Sequence, residues 1–183
     1  KVKHSLVDSE YNTRRKECEA GVMTLQNFYP QVTSLRDVSV EMLEKHRSEF
    51  EGKVHQRCLY VVQENRRVQQ ASEDLRTGKL VAFGEKMFET HDGLSRLYEV
   101  SCKELDFLAT EAHNLDCVIG ARMMGGGFGG CTINLVKKSE SERFIQHMTS
   151  RYKDAFNIDM QVYQVNVVDG TGRVTAGELT LWT

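Results

Sequence analysis

Residues 125–130 hold five glycines and one phenylalanine, and they are the stretch of this chain best suited to chemistry. Glycine loses more backbone freedom on folding than other residues, so a run of it indicates positive φ angles or close approach to another group. That group is often a phosphate, which binds successive backbone N–H groups. The alternative is a β-bulge or tight hairpin without a ligand. We favour a ligand-facing role for this segment, which we call the glycine loop.

Common phosphate-binding motifs do not account for the glycine loop. Gly125, Gly127 and Gly130 fit the pattern G-x-G-x-x-G of dinucleotide-binding proteins, but that pattern requires a helix to begin at the loop. Residues 131–136 instead have the character of a strand. No G-K-[ST] follows, which excludes a P-loop, and the other protein-kinase motifs are absent. The remaining interpretation is a glycine turn between two strands, close to a phosphate or to another phosphate loop.

Hydrophobic periodicity predicts the elements that must position this loop. Apolar residues at helical spacing predict helices over residues 9–28, between Ser39 and Gly52, and over residues 54–75 and 80–90. Capping-box sequences at Ser101 and Ser139 predict two further helices, one on each side of the loop. The sequence His-Asp-Gly at 91–93 is predicted to interrupt the chain after the fourth helix. Strands are predicted over residues 117–123, 131–136 and 160–168.

The order of these elements predicts an α+β fold. Helices come first, and a strand, loop, strand, helix and strand follow, which is typical of a ferredoxin-like antiparallel sheet with helices packed on one face. The first helices would then be additional N-terminal elements. A chain of 183 residues is long enough for one domain with a real core.

Composition excludes several classes of function. With 24 basic and 26 acidic residues the net charge is −2, which does not suit a nucleic-acid binder. No apolar run approaches the ~20 residues of a membrane span, and the first residues do not resemble a signal peptide. The five cysteines lack a C-x-x-C pair and predict reduced thiols in a cytoplasmic protein. The six histidines lack metal-binding spacing, so we expect no metal site in this chain.

Four ordered stretches of the sequence point to a family. Residues 120–132, GARMMGGGFGGCT, resemble the third, C-terminal motif of the GHMP superfamily of small-molecule kinases, and most closely that of the galactokinases. Similar matches are KHSLVDSEYNTRR at 3–15, ENRRV at 64–68, and the group HDGL at 91–94, YEVS at 98–101 and ELD at 104–106. The resemblance covers nearly the whole chain. It implies one GHMP kinase C-terminal domain over residues 1–183, with a crossover segment and helix at 1–30 and a tail at 173–183.

The resemblance also implies a reaction and its cofactors. Galactokinases transfer the γ-phosphoryl group of ATP to the anomeric hydroxyl of galactose, with catalysis by positioning and charge neutralisation. Their sugar-recognition motif, their Ser-rich loop for ATP and Mg²⁺ and their aspartate base lie in an N-terminal half, and none of these occurs here. We therefore expect no catalytic residue and no metal ligand in this chain, and no activity of the chain alone. Its expected partners are galactose, ATP and an N-terminal domain, with neither nucleic acid nor membrane.

The motif matches carry roles to individual residues. Tyr11 matches the tyrosine that hydrogen-bonds the sugar, and its alternative is a core aromatic. Ser5 could approach the nucleotide or simply cap a strand or helix. The loop would lie near the phosphates, against the ATP loop of the other half, or would be a supporting turn; its residues are Gly125, Gly126, Gly127, Phe128, Gly129 and Gly130. Arg122 could neutralise phosphate, although we favour a brace in which it pairs with an acid.

Other polar residues receive structural interpretations. Glu99 and Asp106 are predicted to be solvated or capping rather than an acid–base pair. His91 is predicted to interact with the dipole at a helix C-terminus. Met124 stands where the family more often has threonine, which weakens any expectation of a hydroxyl contact beside the loop.

Three alternatives to a galactokinase stay open. The first is a non-catalytic galactokinase-like sensor of sugar and ATP that binds a regulatory partner. The second is a different GHMP small-molecule kinase, and the third is an independent α+β module without a ligand.

Overall fold

A computed structural model describes residues 7–168 and residue 170. These residues form six α-helices, two β-strands and three short 3₁₀-helices. The α-helices are α1 (Val7–Gln26), α2 (Val40–Lys45), α3 (Val54–Arg76), α4 (Leu80–Arg96), α5 (Lys103–His113) and α6 (Ser141–Phe156). The strands are β1 (Val118–Met124) and β2 (Cys131–Val136), and the 3₁₀-helices are Leu35–Asp37, Arg47–Glu49 and Lys138–Glu140.

The first three helices form one layer around their own core. Gly21 of α1 lies so close to α3 that a Cβ there would overlap the sulfur of Cys58. The hydroxyl of Ser39 accepts a hydrogen bond from the N–H of Met42 and begins α2, as predicted. The buried residues of this core are Leu25, Val32, Leu35, Val38, Leu43, Cys58 and Val62.

A second core joins the remaining helices to the sheet. β1 and β2 pair antiparallel from Val118–Val136 to Met124–Cys131, with one irregularity near the start of β1. Helix α4 packs closely on β1, because Gly84 and Gly120 let the two backbones approach. The buried residues of this core are Leu108, Ala112, Cys117, Ala121, Phe144, Met148 and Tyr152.

The α+β class is confirmed, but the predicted third strand is wrong. Residues 160–168 form no strand, so the described residues contain a two-stranded sheet rather than the fuller sheet of a ferredoxin-like sandwich. The alternating apolar pattern predicts a strand only if a neighbouring strand satisfies its backbone hydrogen bonds. No described strand pairs with this segment, and its Tyr163, Val165 and Val167 are exposed.

The predicted interruption at residues 91–93 is also wrong, because α4 continues to Arg96. Gly93 lies inside the helix, where a Cβ would lie within 3 Å of the ring of Tyr60. This glycine therefore makes room for a packed aromatic ring and does not end the helix. Asp92 and Arg96 add an ion pair of 2.6 Å at i,i+4 spacing.

Neither of the two predicted capping boxes forms. Helix α5 begins after Cys102 and α6 begins after Glu140, and neither N-cap residue makes a side-chain capping hydrogen bond. The hydroxyl of Ser141 instead donates to the carbonyl of Lys138, 3.0 Å away, in the preceding 3₁₀-helix. That 3₁₀-helix occupies the place where the second box was expected.

Candidate functional site

The glycine loop connects β1 to β2, and its backbone lies largely in the left-handed region. Phe128 itself has a φ angle of 58°. Four of the glycines also have positive φ angles: Gly125 at 83°, Gly127 at 87°, Gly129 at 134° and Gly130 at 100°. Side chains with a Cβ rarely adopt such angles, so the shape of this loop depends on glycine.

The inner side of the loop packs on residues 97–100, a turn between α4 and α5 that we call the carbonyl strap. The N–H of Phe128 donates to the carbonyl of Val100 at 2.6 Å. A Cβ on Gly127 would overlap the same carbonyl. Below them, Val100, Leu105 and Met123 form a small buried cluster against which Phe128 packs.

The outer side of the loop is open. No described atom lies within 4 Å of the place where a Cβ on Gly125 or Gly126 would stand. Gly126 also lies outside the left-handed region, so neither its backbone conformation nor packing among the described residues requires glycine there. Among the described residues, nothing would obstruct a phosphate or another loop that approaches Gly126, which is the arrangement that a phosphate-facing role needs.

His91 links three elements next to the loop, and its predicted role at a helix C-terminus is wrong. It lies within α4 with 7% of its surface exposed. Its Nδ1 accepts the N–H of Met123 in β1 at 3.1 Å, and its Nε2 lies 3.1 Å from Oδ1 of Asp106 in α5. Because Nδ1 accepts a hydrogen bond, the ring proton must lie on Nε2, which donates to Asp106. The hydroxyl of Ser95 donates to the other oxygen of Asp106.

Burial determines the protonation of His91. Removal from water lowers the pKa of this imidazole below its ordinary value, and the nearby carboxylates of Asp106 and Asp92 oppose that shift. The neutral ring required by the hydrogen bond from Met123 is thus the form that burial favours. Asp106 is accordingly a partner of a buried histidine and not a cap, although 43% of its side chain is exposed, in keeping with the solvated role that was also predicted.

Glu99 is held by two cations and is neither freely solvated nor a cap. Its carboxylate accepts hydrogen bonds from Lys53 at 2.6 Å and from Arg57 at 2.9 Å. These two bonds, that from Lys53 first, lower the pKa of Glu99 to about 2. Glu99 also has a φ angle of 52°, unusual for a residue with a side chain. The ion pairs offset that backbone strain and fix the carbonyl strap to α3.

The other predicted site residues make none of the hydrogen bonds described above for His91 and Glu99. Tyr11, on α1, is 56% exposed, so the alternative of a core aromatic is not what the described residues form. Arg122 in β1 is half-buried and donates to the carbonyl of Met123 at 3.4 Å. No acidic side chain forms an ion pair with Arg122 anywhere in residues 10–168, so the predicted brace to an acid is not formed there. Ser5 lies outside the described residues.

Over the described residues, no group of three or more His, Cys, Asp or Glu side chains is arranged to hold a metal ion. None of the helices in that part combines the length and the apolar character that a membrane crossing requires.

Comparison with known proteins gives consistent results. Residues 71–154 match the protein family described as "GHMP kinases C terminal". A galactokinase of Roseiflexus sp. (strain RS-1) is 40% identical over 94% of this chain and 44% of its own length. A galactokinase of Thermotoga maritima is 36% identical over 94% of this chain and 47% of its own length. The chain thus spans less than half the length of the curated relatives that it matches.

A solved structure agrees in three dimensions. The crystal structure of Lactococcus lactis galactokinase complexed with galactose superposes on this chain with a TM-score of 0.81 and 31% sequence identity. The match covers 86% of this chain and 41% of that one. Sequence and structure therefore agree: residues 71–154, which include the glycine loop, match the C-terminal domain of the GHMP kinases, and the similarity to galactokinases extends beyond that range.

Proposed function

We propose that this chain is the C-terminal half of a galactokinase, which transfers the γ-phosphoryl group of ATP to the anomeric hydroxyl of galactose. The observation that carries the proposal is the similarity to galactokinases, which extends over 94% of the chain. The proposed domain covers residues 1–183, with residues 1–30 as a crossover segment and helix and residues 173–183 as a tail.

The glycine loop is proposed to form one wall of the active site. Its inner side packs on the carbonyl strap, so its open outer side, centred on Gly126, is free to meet the phosphates of ATP or the phosphate loop of the other half. Arg122 has no acidic partner in residues 10–168, which supports phosphate neutralisation over the brace that the sequence favoured. A guanidinium suits that role because it keeps its charge and offers several donors.

The cofactors of the proposed reaction act through groups that this chain does not hold. ATP would supply the phosphoryl group and Mg²⁺ would neutralise its charge, with metal ligands outside this chain. The described residues offer an open glycine surface on which a phosphate could lie. Tyr11 would contact the sugar, because its phenol can both donate and accept a hydrogen bond. Ser5 stays a proposed nucleotide contact.

The test is an assay of the full-length protein that contains this chain. With ATP and Mg²⁺ and a panel of sugars, we expect ADP release that depends on galactose. Binding of galactose without ADP release would favour the non-catalytic sensor, and release with another substrate alone would favour a different GHMP kinase.

Replacing Tyr11 tests the sugar contact. In the full-length protein, Tyr11→Phe removes one hydroxyl, and the loss of one hydrogen bond should raise the KM for galactose about two- to tenfold. The KM for ATP should not change. Tyr29→Phe is a matched control, because that hydroxyl bonds His46 at 3.2 Å in the helical layer. An unchanged KM for galactose in Tyr11→Phe would remove Tyr11 from the sugar site.

A further inference from the structure

Arg14 is a buried arginine that reaches from α1 to the turn supporting the glycine loop. Only 8% of its surface is exposed. Its Nε donates to the carbonyl of Tyr98 at 2.7 Å, and its Nη2 donates to the carbonyl of Glu99 at 3.0 Å. The guanidinium carbon also lies 5.9 Å from the ring centroid of Phe128, within the range of a cation–π interaction. One side chain thus contacts both the strap and the loop.

The charge of Arg14 is balanced within the helical layer. Its Nη1 lies 3.3 Å from a carboxylate oxygen of Glu17 and 3.5 Å from one of Glu10. Removing one member of such a buried group is more damaging than the pair itself is stabilising, because it leaves a charge or a carbonyl without a partner. The arrangement therefore holds α1 and the strap at a fixed separation.

Arg57 completes the attachment of the strap from α3. It is 1% exposed and donates to the carbonyl of Leu97 through Nη1. Its Nε donates to the same oxygen of Glu17 that faces Arg14, at 3.2 Å. Every carbonyl of the strap is therefore bonded: Leu97 to Arg57, Tyr98 and Glu99 to Arg14, and Val100 to Phe128.

We propose that Arg14 is a positioning residue that fixes the glycine loop relative to α1, and hence the phosphate side of the site relative to Tyr11. Tyr11 precedes Arg14 by three residues, about one turn of the same helix. The expected effect on kcat rests on the proposed galactokinase function, whereas the expected effect on the position of the loop does not. Lysine cannot replace Arg14 fully, since two carbonyls are bonded by the separate donors of one planar group.

The test compares two neighbouring arginines in the full-length protein. Arg14→Met removes the bonds to the strap and keeps the length of the side chain. Arg15→Met is the matched control, because Arg15 is exposed and pairs with Glu19 at 2.9 Å on the outside of α1. Arg14→Lys is the conservative variant, which keeps the charge and loses the fork of donors. Each protein is measured by amide hydrogen exchange and by steady-state kinetics.

We expect the Phe128 amide to exchange about tenfold faster in Arg14→Met, with no change in Arg15→Met. Misalignment of the loop should lower kcat about tenfold or more, with less than a twofold change in the KM for galactose. Arg14→Lys should recover part of both losses. A contribution to stability alone would not produce this separation of kcat from KM in protein that is still folded.

Unchanged exchange at Phe128 in a folded Arg14→Met protein would overturn the proposal. Equal effects of Arg14→Met and Arg15→Met would also overturn it. If Arg14→Met does not fold, Arg14→Lys decides by the same two measurements, and wild-type exchange and kcat in that variant would count against the proposal. If the wild-type protein releases no ADP with galactose, the proposed function fails, whereas the exchange data still decide the role of Arg14.

Discussion

At the scale of single residues, His91 joins α4, α5 and β1 with the two nitrogens of one ring. Nδ1 can accept the N–H of Met123 only while it is unprotonated. A second proton would turn that acceptor into a donor facing an N–H group, and the strand that enters the glycine loop would lose its bond. The protonation of the buried His91 therefore affects the end of β1, which supports the glycine loop.

This arrangement predicts a loss of stability in mild acid. The pKa of His91 is lowered in the folded protein, so the unfolded chain binds a proton first as the pH falls below about 6.5. Stability should fall through that range by at most about 1.4 kcal/mol per pH unit for this histidine. Burial also lowers the pKa of His55, which adds a contribution of the same sign.

Thermal unfolding of the full-length protein between pH 7.5 and 5.5 measures the effect. His91→Asn should be less stable at pH 7.5 and should show a weaker dependence on pH. His147→Gln is the control, since that ring is partly exposed and faces Glu111 at 3.5 Å. A pH dependence that is identical in His91→Asn and wild type would contradict the role given to His91.

Some of these residues could have been found from the sequence. Arg14 lies at helical spacing with Cys18, Gly21 and Leu25 on the buried face of α1, and a charged residue on such a face indicates a paired, buried cation. His91 gave no such signal, because its partners Met123 and Asp106 are distant in the sequence. The packing of α4 on both β1 and α5 brings them together.

At the scale of elements, the two sides of the glycine loop have different requirements. Gly127 needs its positive φ angle and faces the carbonyl of Val100, whereas Gly126 meets nothing among the described residues. Gly127→Ala should therefore cost more than about 2 kcal/mol of unfolding free energy. Gly126→Ala should leave stability unchanged or raise it by up to ~1 kcal/mol, because alanine has less conformational freedom in the unfolded chain.

Among the folded variants, we expect Gly126→Ala to lose more activity than Gly127→Ala, although it is the more stable of the two. If the outer side of the loop meets phosphate or the phosphate loop, the added methyl group of Gly126→Ala should lower kcat/KM for ATP about tenfold or more. Chemical denaturation and initial rates on the same preparations test both halves of the prediction. Full activity in Gly126→Ala would place the outer side away from the reaction, and wild-type stability in Gly127→Ala would contradict the packing on Val100.

Local sequence patterns predicted helices and strands well where long-range packing favours the same conformation. The spacing of apolar residues predicted α1, α3 and both observed strands to within a few residues. The errors came from contacts distant in sequence. Gly93 suggested a helix end, whereas it leaves room for the ring of Tyr60, which lies where a Cβ would be. The pattern of residues 160–168 predicted a strand, but no described strand pairs with them.

At the scale of the whole molecule, most of the described structure positions the glycine loop and does not itself supply reactive groups. Two cores, one around α1–α3 and one around the sheet, meet where α3 packs on α4, and the carbonyl strap beside them is bonded to α1 and α3. The α+β class followed from the order of the elements. The sugar, ATP and metal could not be derived from composition, and they came from resemblance to a family.

The 183-residue chain alone should therefore show no galactose-dependent ADP release with ATP and Mg²⁺. No sequence in it matches the Ser-rich phosphate loop of the family, so the developing charge would lack most of its stabilisation. A coupled assay with the full-length protein as the positive control measures this directly. Turnover above background from the purified chain would contradict the proposal that the catalytic base and the phosphate loop lie outside this chain.

The carbonyl strap has a consequence for how this protein tolerates change. Apart from the ion pairs of Glu99, its attachments are made to main-chain oxygens, which every amino acid provides, so the side chain of Leu97 is open to replacement by other apolar residues. Deleting one residue would instead move each carbonyl by up to about 3.8 Å and match it to the wrong donor. The length of this turn is thus as important as its side chains: an apolar replacement of Leu97 should be accepted, whereas an insertion or a deletion should not.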